Sequence, residues 1–141
     1  MKESIWPVPP DLELINMQRQ GTMLEHLDIK LTSIDADSLT GSMPVDHRTV
    51  QPYGILHGGA TATLAESVAS LASSLVVPNP ATQKVVGIEL NINHLGQVRE
   101  GHVHATARPV KLGRRLHVWQ IDIEDDRKRK ISRARLTVMV V

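Results

Sequence analysis

Glu66 is the only acidic or basic residue between Arg48 and Lys84, and it stands in an Ala-, Ser- and Leu-rich stretch with no charge nearby to neutralise it. An uncompensated carboxylate is costly to remove from water. Such a residue is therefore either satisfied by Ser67, Ser70 or a neighbouring strand, or kept for chemistry. Chemistry is the stronger reading. Ser70 follows four residues on, so on a helix it shares the face of Glu66 and can orient the carboxylate or a water; it can equally be small packing. Gly58 and Gly59 stand where the same stretch begins. The first amides of a helix have no partner within it, and the dipole makes that end partly positive, so the Gly58 N–H is placed to hold a developing oxyanion. A glycine pair also serves to make a tight turn or to allow close packing. Eight residues separate Gly58 from Glu66, about 12 Å along one helix. One chain cannot easily bring both to a single carbonyl, so the spacing predicts a site shared between the subunits of a homo-oligomer.

These residues need elements to hold them. Leu64, Val68, Leu71 and Leu75 recur at helical spacing over residues 60–77, and the remaining faces carry small residues where a surface helix would carry Lys and Glu. One long helix, buried all round, is expected. Before it, residues 27–34 and 39–45 alternate apolar and polar about a turn at 35–37, which reads as a hairpin. After it come four more alternating runs, around Val86 to Ile92, Val103 to Ala107, Trp119 to Ile123 and Ala134 to Val140, with a charged turn at 125–130 between the last two. Pro7, Pro9 and Pro10 delay regular structure until Asp11, which caps a short helix through Leu12, Ile15 and Met17, ended near Gly21. The fold class is α+β: a curved antiparallel sheet wrapped around one long buried helix. Residues 1–26 form an arm with its short helix, and residues 27–141 form the single domain proper.

Composition narrows the function. The 141 residues, 41% of them hydrophobic, suffice for one core and are too few to expect two. Sixteen basic and 15 acidic residues leave a net charge of +1, and aromatics make up only 2%, so neither nucleic acid nor an anionic membrane is an expected partner. The absence of cysteine removes disulfides and thiol nucleophiles and suits a reducing compartment. Nothing in residues 1–10 reads as an export signal, and the charge-free stretches around Glu66 are too interrupted to span a membrane, so the cytoplasm is the expected location. His102 and His104 would share one face of a strand, but no further ligand stands beside them at metal-binding spacing, so no metal is expected.

The run from Met43 through Gln51-Pro-Tyr-Gly-Ile-Leu-His57-Gly58-Gly59-Ala60 to Glu66-Ser67 resembles the hotdog-fold thioesterases that hydrolyse aromatic acyl-CoAs. Val85-Val-Gly-Ile-Glu-Leu-Asn-Ile-Asn-His94, Lys111-Leu-Gly-Arg-Arg115 and Val118-Trp-Gln-Ile-Asp-Ile123 extend the likeness from about Leu27 to the end. Within that family the pattern is most similar to the branch of the 1,4-dihydroxy-2-naphthoyl-CoA hydrolases of menaquinone synthesis and the proofreading thioesterases of enterobactin synthesis.

The resemblance implies a hotdog fold, an acyl-CoA substrate and a dimer with shared sites, paired again into a homotetramer. It implies Glu66 as the catalytic carboxylate and Gly58 as the oxyanion amide. Gln51 would position the thioester or water, His57 would brace the loop, Ser70 would assist Glu66, and His94 would line the aryl pocket. Gly96 and Gln97 stand where this branch leads one to expect Arg. The basic group Lys111, Arg114 and Arg115, punctuated by Gly113, is either a clamp for the CoA phosphates or a solvated strand end. A thioester is already electrophilic, so a carboxylate and an oxyanion site suffice with no metal or other cofactor. Two other classes stay open: a dehydratase using His57 and a carboxylate on a β-hydroxyacyl thioester, and a non-catalytic acyl-CoA-binding module.

Overall fold

In the computed structural model, which describes residues 2–141, the alternating runs become six strands: β1 (Lys30–Ile34), β2 (Leu39–Pro44), β3 (Val85–His94), β4 (His102–Leu112), β5 (Leu116–Asp125) and β6 (Lys130–Val140). They form one sheet in the order β1-β2-β4-β5-β6-β3, antiparallel throughout. The long helix α3 (Gly58–Val76) joins β2 to β3 and packs across β2 to β6. Two short helices, α1 (Leu12–Met17) and α2 (Met23–His26), precede β1. The expected α+β architecture is therefore present. Period-two alternation carries the core on the sheet side: Trp119, Ile121 and Ile123 are fully buried between half-buried Gln120 and Asp122. Leu64, Val68 and Ala72 of α3 complete the same cluster. Each large apolar side chain so buried contributes about 1.5–3 kcal/mol.

Three local expectations change. The first strand starts at Lys30 rather than residue 27, because Thr22 caps α2 and Asp28 then turns the chain with a φ of 54°. In β3 a bulge between Gly87 and Glu89 breaks the alternation, leaving Val86 and Ile88 46% and 49% exposed. Helix α3 is buried on one face only. Leu64, Ala65, Val68, Ala69 and Ala72 are inaccessible, whereas Glu66 is exposed and Ser67 and Ser70 are half-buried. The small residues of its outer face are thus left only half-buried, and β3 leaves the neighbouring sheet edge unpaired. The N-terminal arm packs onto the domain: Trp6 and Ile15 join its core, and Trp6 Nε1–H donates to the Asp35 carbonyl at 2.8 Å. Among the described residues no helix is long and apolar enough to cross a membrane.

Candidate active site

The loop before α3 is held by backbone bonds at both ends. Gln51 N–H donates to the Ile55 carbonyl and Gly54 N–H to the Gln51 carbonyl, both at 2.8 Å. Leu56 N–H then bonds to Val98 and His57 N–H to Thr49, again at 2.8 Å. The segment leading in is fixed by Asp46, which accepts from Arg48 Nη2 at 2.7 Å. The Arg48 guanidinium holds the Asp46 carboxyl at about 2, well below its ordinary 3.8. The Gln51 side-chain carbonyl turns back onto the Tyr53 N–H.

His57 is the N-cap of α3. Its Nδ1 accepts from Gly59 N–H at 2.8 Å, which puts the proton of the neutral ring on Nε2. The His57 carbonyl takes the amides of Ala60 and Thr61 at 3.0 and 3.1 Å. Of the first amides of the helix, the Gly58 N–H alone makes no hydrogen bond among the described residues. His94 reaches this point from β3. Its Nδ1 is tied to Ser132 Oγ at 2.9 Å, and its Nε2 faces Gly58 so closely that a Cβ there would lie 2.7 Å away. Gln51, Gly58 and His94 line one cleft of about 400 Å3, together with Thr61 and Gln97.

Glu66 opens into a different cleft. It shares about 540 Å3 with Thr63, Ser70 and Leu71 of α3, Leu90 of β3 and Met23 of α2, a lining that is mostly apolar. Its carboxylate makes neither ion pair nor hydrogen bond among the described residues, so Ser67, Ser70 and the strands do not satisfy it within the protomer. It is also exposed there, not buried in the middle of the helix as its neighbours in sequence suggest. The carboxylate lies instead against Gly87, where a Cβ would come within 2.9 Å of Oε2. The one helix therefore presents an unpaired amide to one cleft and an unpaired carboxylate to another.

The remaining expected residues do not join them in one protomer. Lys111, Arg114 and Arg115 are exposed and Gly113 half-buried at the β4–β5 turn. Val140 N–H donates to Arg115 beside the start of β3, whereas His94 pairs with Ser132 at its other end. Nine residues of strand separate the two ends, about 30 Å. The turn lines neither cleft. His104 is engaged with Asp126 at 2.7 Å, and among the described residues no group of three ligating side chains converges on a metal position.

Several residues of the site escape sequence reasoning. Gly87 lies inside the expected run from Val86 to Ile92, and a glycine in a strand marks close approach without saying to what. Leu90, Met23 and Thr61 line the clefts through tertiary packing alone. Behind the helix, Ser73 Oγ accepts from Trp119 Nε1–H at 2.7 Å and meets His117 Nδ1 at 3.0 Å. Burial pushes the His117 imidazole below its ordinary value, and because Ser73 Oγ accepts from Trp119, its O–H is the group that can donate to His117 Nδ1.

The chain is similar to known thioesterases. The model of the thioesterase superfamily matches residues 53–132. The 1,4-dihydroxy-2-naphthoyl-CoA hydrolase of Escherichia coli (strain K12) is 44% identical, the alignment covering 97% of this chain and 99% of that protein. The proofreading thioesterase EntH of Cronobacter turicensis is 41% identical over 97% of this chain and 98% of its own length. Among solved structures, a mutant of thioesterase PA1618 from Pseudomonas aeruginosa superposes with a TM-score of 0.96 at 46% identity, covering 98% of this chain and 99% of that one.

Proposed function

The chain belongs to the thioesterase superfamily, is a thioester hydrolase with the hotdog fold, and on that premise we propose that it cleaves an aromatic acyl-CoA to the free acid and CoA. The observation that carries the reading is the unpaired Gly58 amide and the unpaired Glu66 carboxylate, placed in separate clefts at two points of one helix. Catalysis needs them at one carbonyl. A dimer that joins two copies along the open β3 edge supplies this, because the exposed Val86 and Ile88 and the bare face of α3 lie on that side.

In such a site the Gly58 amide of one subunit receives the thioester oxygen, and negative charge developing there is met by a donor already in place. Glu66 of the other subunit attacks the carbonyl carbon, giving a mixed anhydride that water then opens, or takes a proton from a water that attacks in its stead. Either way the C–S bond breaks, CoA leaves as the thiol and the acid is released. Ser70 orients the carboxylate or its water, His57 holds the loop by capping α3, and Gln51 and His94 position the thioester beside Gly58. The apolar lining of the Glu66 cleft suits an aryl group. The name of the Escherichia coli relative makes 1,4-dihydroxy-2-naphthoyl-CoA the first substrate to try, which would place the chain in menaquinone synthesis. Lys111, Arg114 and Arg115, free at their turn, are assigned to the CoA phosphates across the dimer, and the assembly is taken to be a dimer of dimers.

A thiol-release screen with 1,4-dihydroxy-2-naphthoyl-, benzoyl- and butyryl-CoA tests the reading. The naphthoyl ester should give the highest kcat/KM, and Glu66→Gln should lower kcat by about 10³-fold while the melting temperature holds. An active, folded Glu66→Gln would sink the mechanism, and a preference for butyryl-CoA would sink the substrate class.

A further inference from the structure

Leu90 and Ile92 of β3 pack against the core, so regular alternation counted back from them would bring Ile88 to the inner face, on the side of α3. The bulge prevents this. It takes Ile88 out of register, and Gly87 then stands opposite the buried Val138, on the face where Leu90 stands opposite Leu136. The inner face of the strand therefore carries no side chain where α3 brings Glu66 against it. A Cβ on Gly87 would lie 2.9 Å from Glu66 Oε2 and 3.3 Å from its Cδ, whereas the next neighbour, Leu136 Cδ1, would be at an ordinary 3.4 Å. Gly87 does not share the positive φ of Gly21, Gly54 and Gly101, so its backbone is one that other residues adopt. What the position uses is the absence of a side chain.

We propose that Gly87 is a positioning residue for hydrolysis: the bulge and the glycine together clear a seat on β3 that sets where the Glu66 carboxylate meets the thioester or its water. The inference rests on Glu66 acting at the thioester. Since the carboxylate makes neither ion pair nor hydrogen bond among the described residues, its contact with the β3 backbone is what limits its swing. The same absence of bonds decides what yields when the seat is filled. An added methyl moves the free end of the Glu66 side chain and leaves the sheet in place, by about 0.5 Å if the contact opens from 2.9 to 3.4 Å. The bulge also leaves Ile88, with Val86, exposed on the edge strand, so one slip of register both clears the seat and supplies apolar surface to the edge.

The test measures kcat and KM separately in Gly87→Ala and Gly87→Val, with whichever of the naphthoyl, benzoyl and butyryl esters the wild type turns over fastest. Melting temperature and light scattering follow fold and assembly. In Gly87→Ala kcat should fall about 10-fold, since a misplacement of 1 Å costs about 100-fold and this one is about half as large. Gly87→Val, which adds two more methyl groups at the carboxylate, should fall further. In both, KM should stay within roughly twofold of the wild type and the melting temperature should not drop, because the residue acts through Glu66 and not through substrate binding or the core. Wild-type kcat in both variants overturns the inference, as does a loss carried by KM or one that tracks lost folding or assembly. Glu66→Gln keeps the two claims apart. If it is inactive while both Gly87 variants are unimpaired, only the seat is refuted; if it is folded and active, the mechanism and the seat fall together.

Discussion

Gly58→Ala separates geometry from stability within the site. The added Cβ would stand 2.7 Å from His94 Nε2, so the imidazole must retreat about 0.7 Å to reach ordinary contact at 3.4 Å. The ring is not free to do so, because Nδ1 is tied at 2.9 Å to Ser132, a fully buried residue of β6. Breaking that bond costs about 1 kcal/mol, and replacing glycine by alanine in a helix returns up to ~1 kcal/mol. The two nearly cancel, so the denaturation midpoint should stay within error of the wild type. Activity should not. The Gly58 N–H survives the substitution, but a displacement approaching 1 Å between the proposed oxyanion donor and the ring proposed to stand beside the substrate costs about 100-fold in kcat/KM. Thiol release from the acyl-CoA that serves best, read beside a urea titration, gives both numbers. His94→Ala supplies the control: if the clash is the cause, Gly58→Ala combined with His94→Ala should be no slower than His94→Ala alone. Full activity in Gly58→Ala, or additive losses in the double variant, would refute the argument.

The proposed sharing of the site between subunits predicts complementation. Glu66→Gln and Gly58→Ala subunits, refolded together, should recover roughly a quarter of wild-type activity, since half of randomly formed dimers are mixed and each mixed dimer keeps one intact site; verified mixed dimers with no recovery would refute sharing. Ser73→Ala strands Trp119 Nε1–H and His117 in the core, and should lower unfolding stability by about 2 kcal/mol in chemical denaturation. Asp46 makes a pH-dependent contribution. Its carboxyl is held at about 2, chiefly by the Arg48 hydrogen bond, against 3.8 ordinarily, so its stabilisation is complete above pH 3.8 and disappears as the pH falls toward 2. The side chain is 32% exposed, so Asp46→Asn should cost no more than ~1 kcal/mol at pH 7, and the gap from the wild type should close by pH 2.

Local pattern made much of the fold legible. The two-residue period found all six strands, and the 3.6-residue period with its glycine start found α3 within two residues at each end. What it missed lies where a local rule was overridden. The bulge at Gly87 cancelled the inward phase of Val86 and Ile88, and Asp28, just past α2, made a turn where alternation suggested that the strand had begun. The short helix α2 matters because Met23 forms part of the Glu66 cleft.

The functional candidates divide in the same way. By itself the sequence determined that Glu66 is an isolated carboxylate on a helix opened by Gly58, because charge and glycine are properties of residue type and their spacing is covalent. It also determined that about 12 Å lies between them. Only the tertiary structure decided what each one faces. Packing puts His94 of β3 against Gly58 and Gly87 of β3 against Glu66, and sends the basic turn to the far end of the sheet. It also reverses the reason Glu66 stands out. Within the protomer the carboxylate is unpaired and open rather than buried, since the small residues around it mark a face the sheet leaves uncovered. Residue type cannot tell a face packed against its own sheet from one left open, because alanine and serine suit both; only the direction in which the sheet curls distinguishes them.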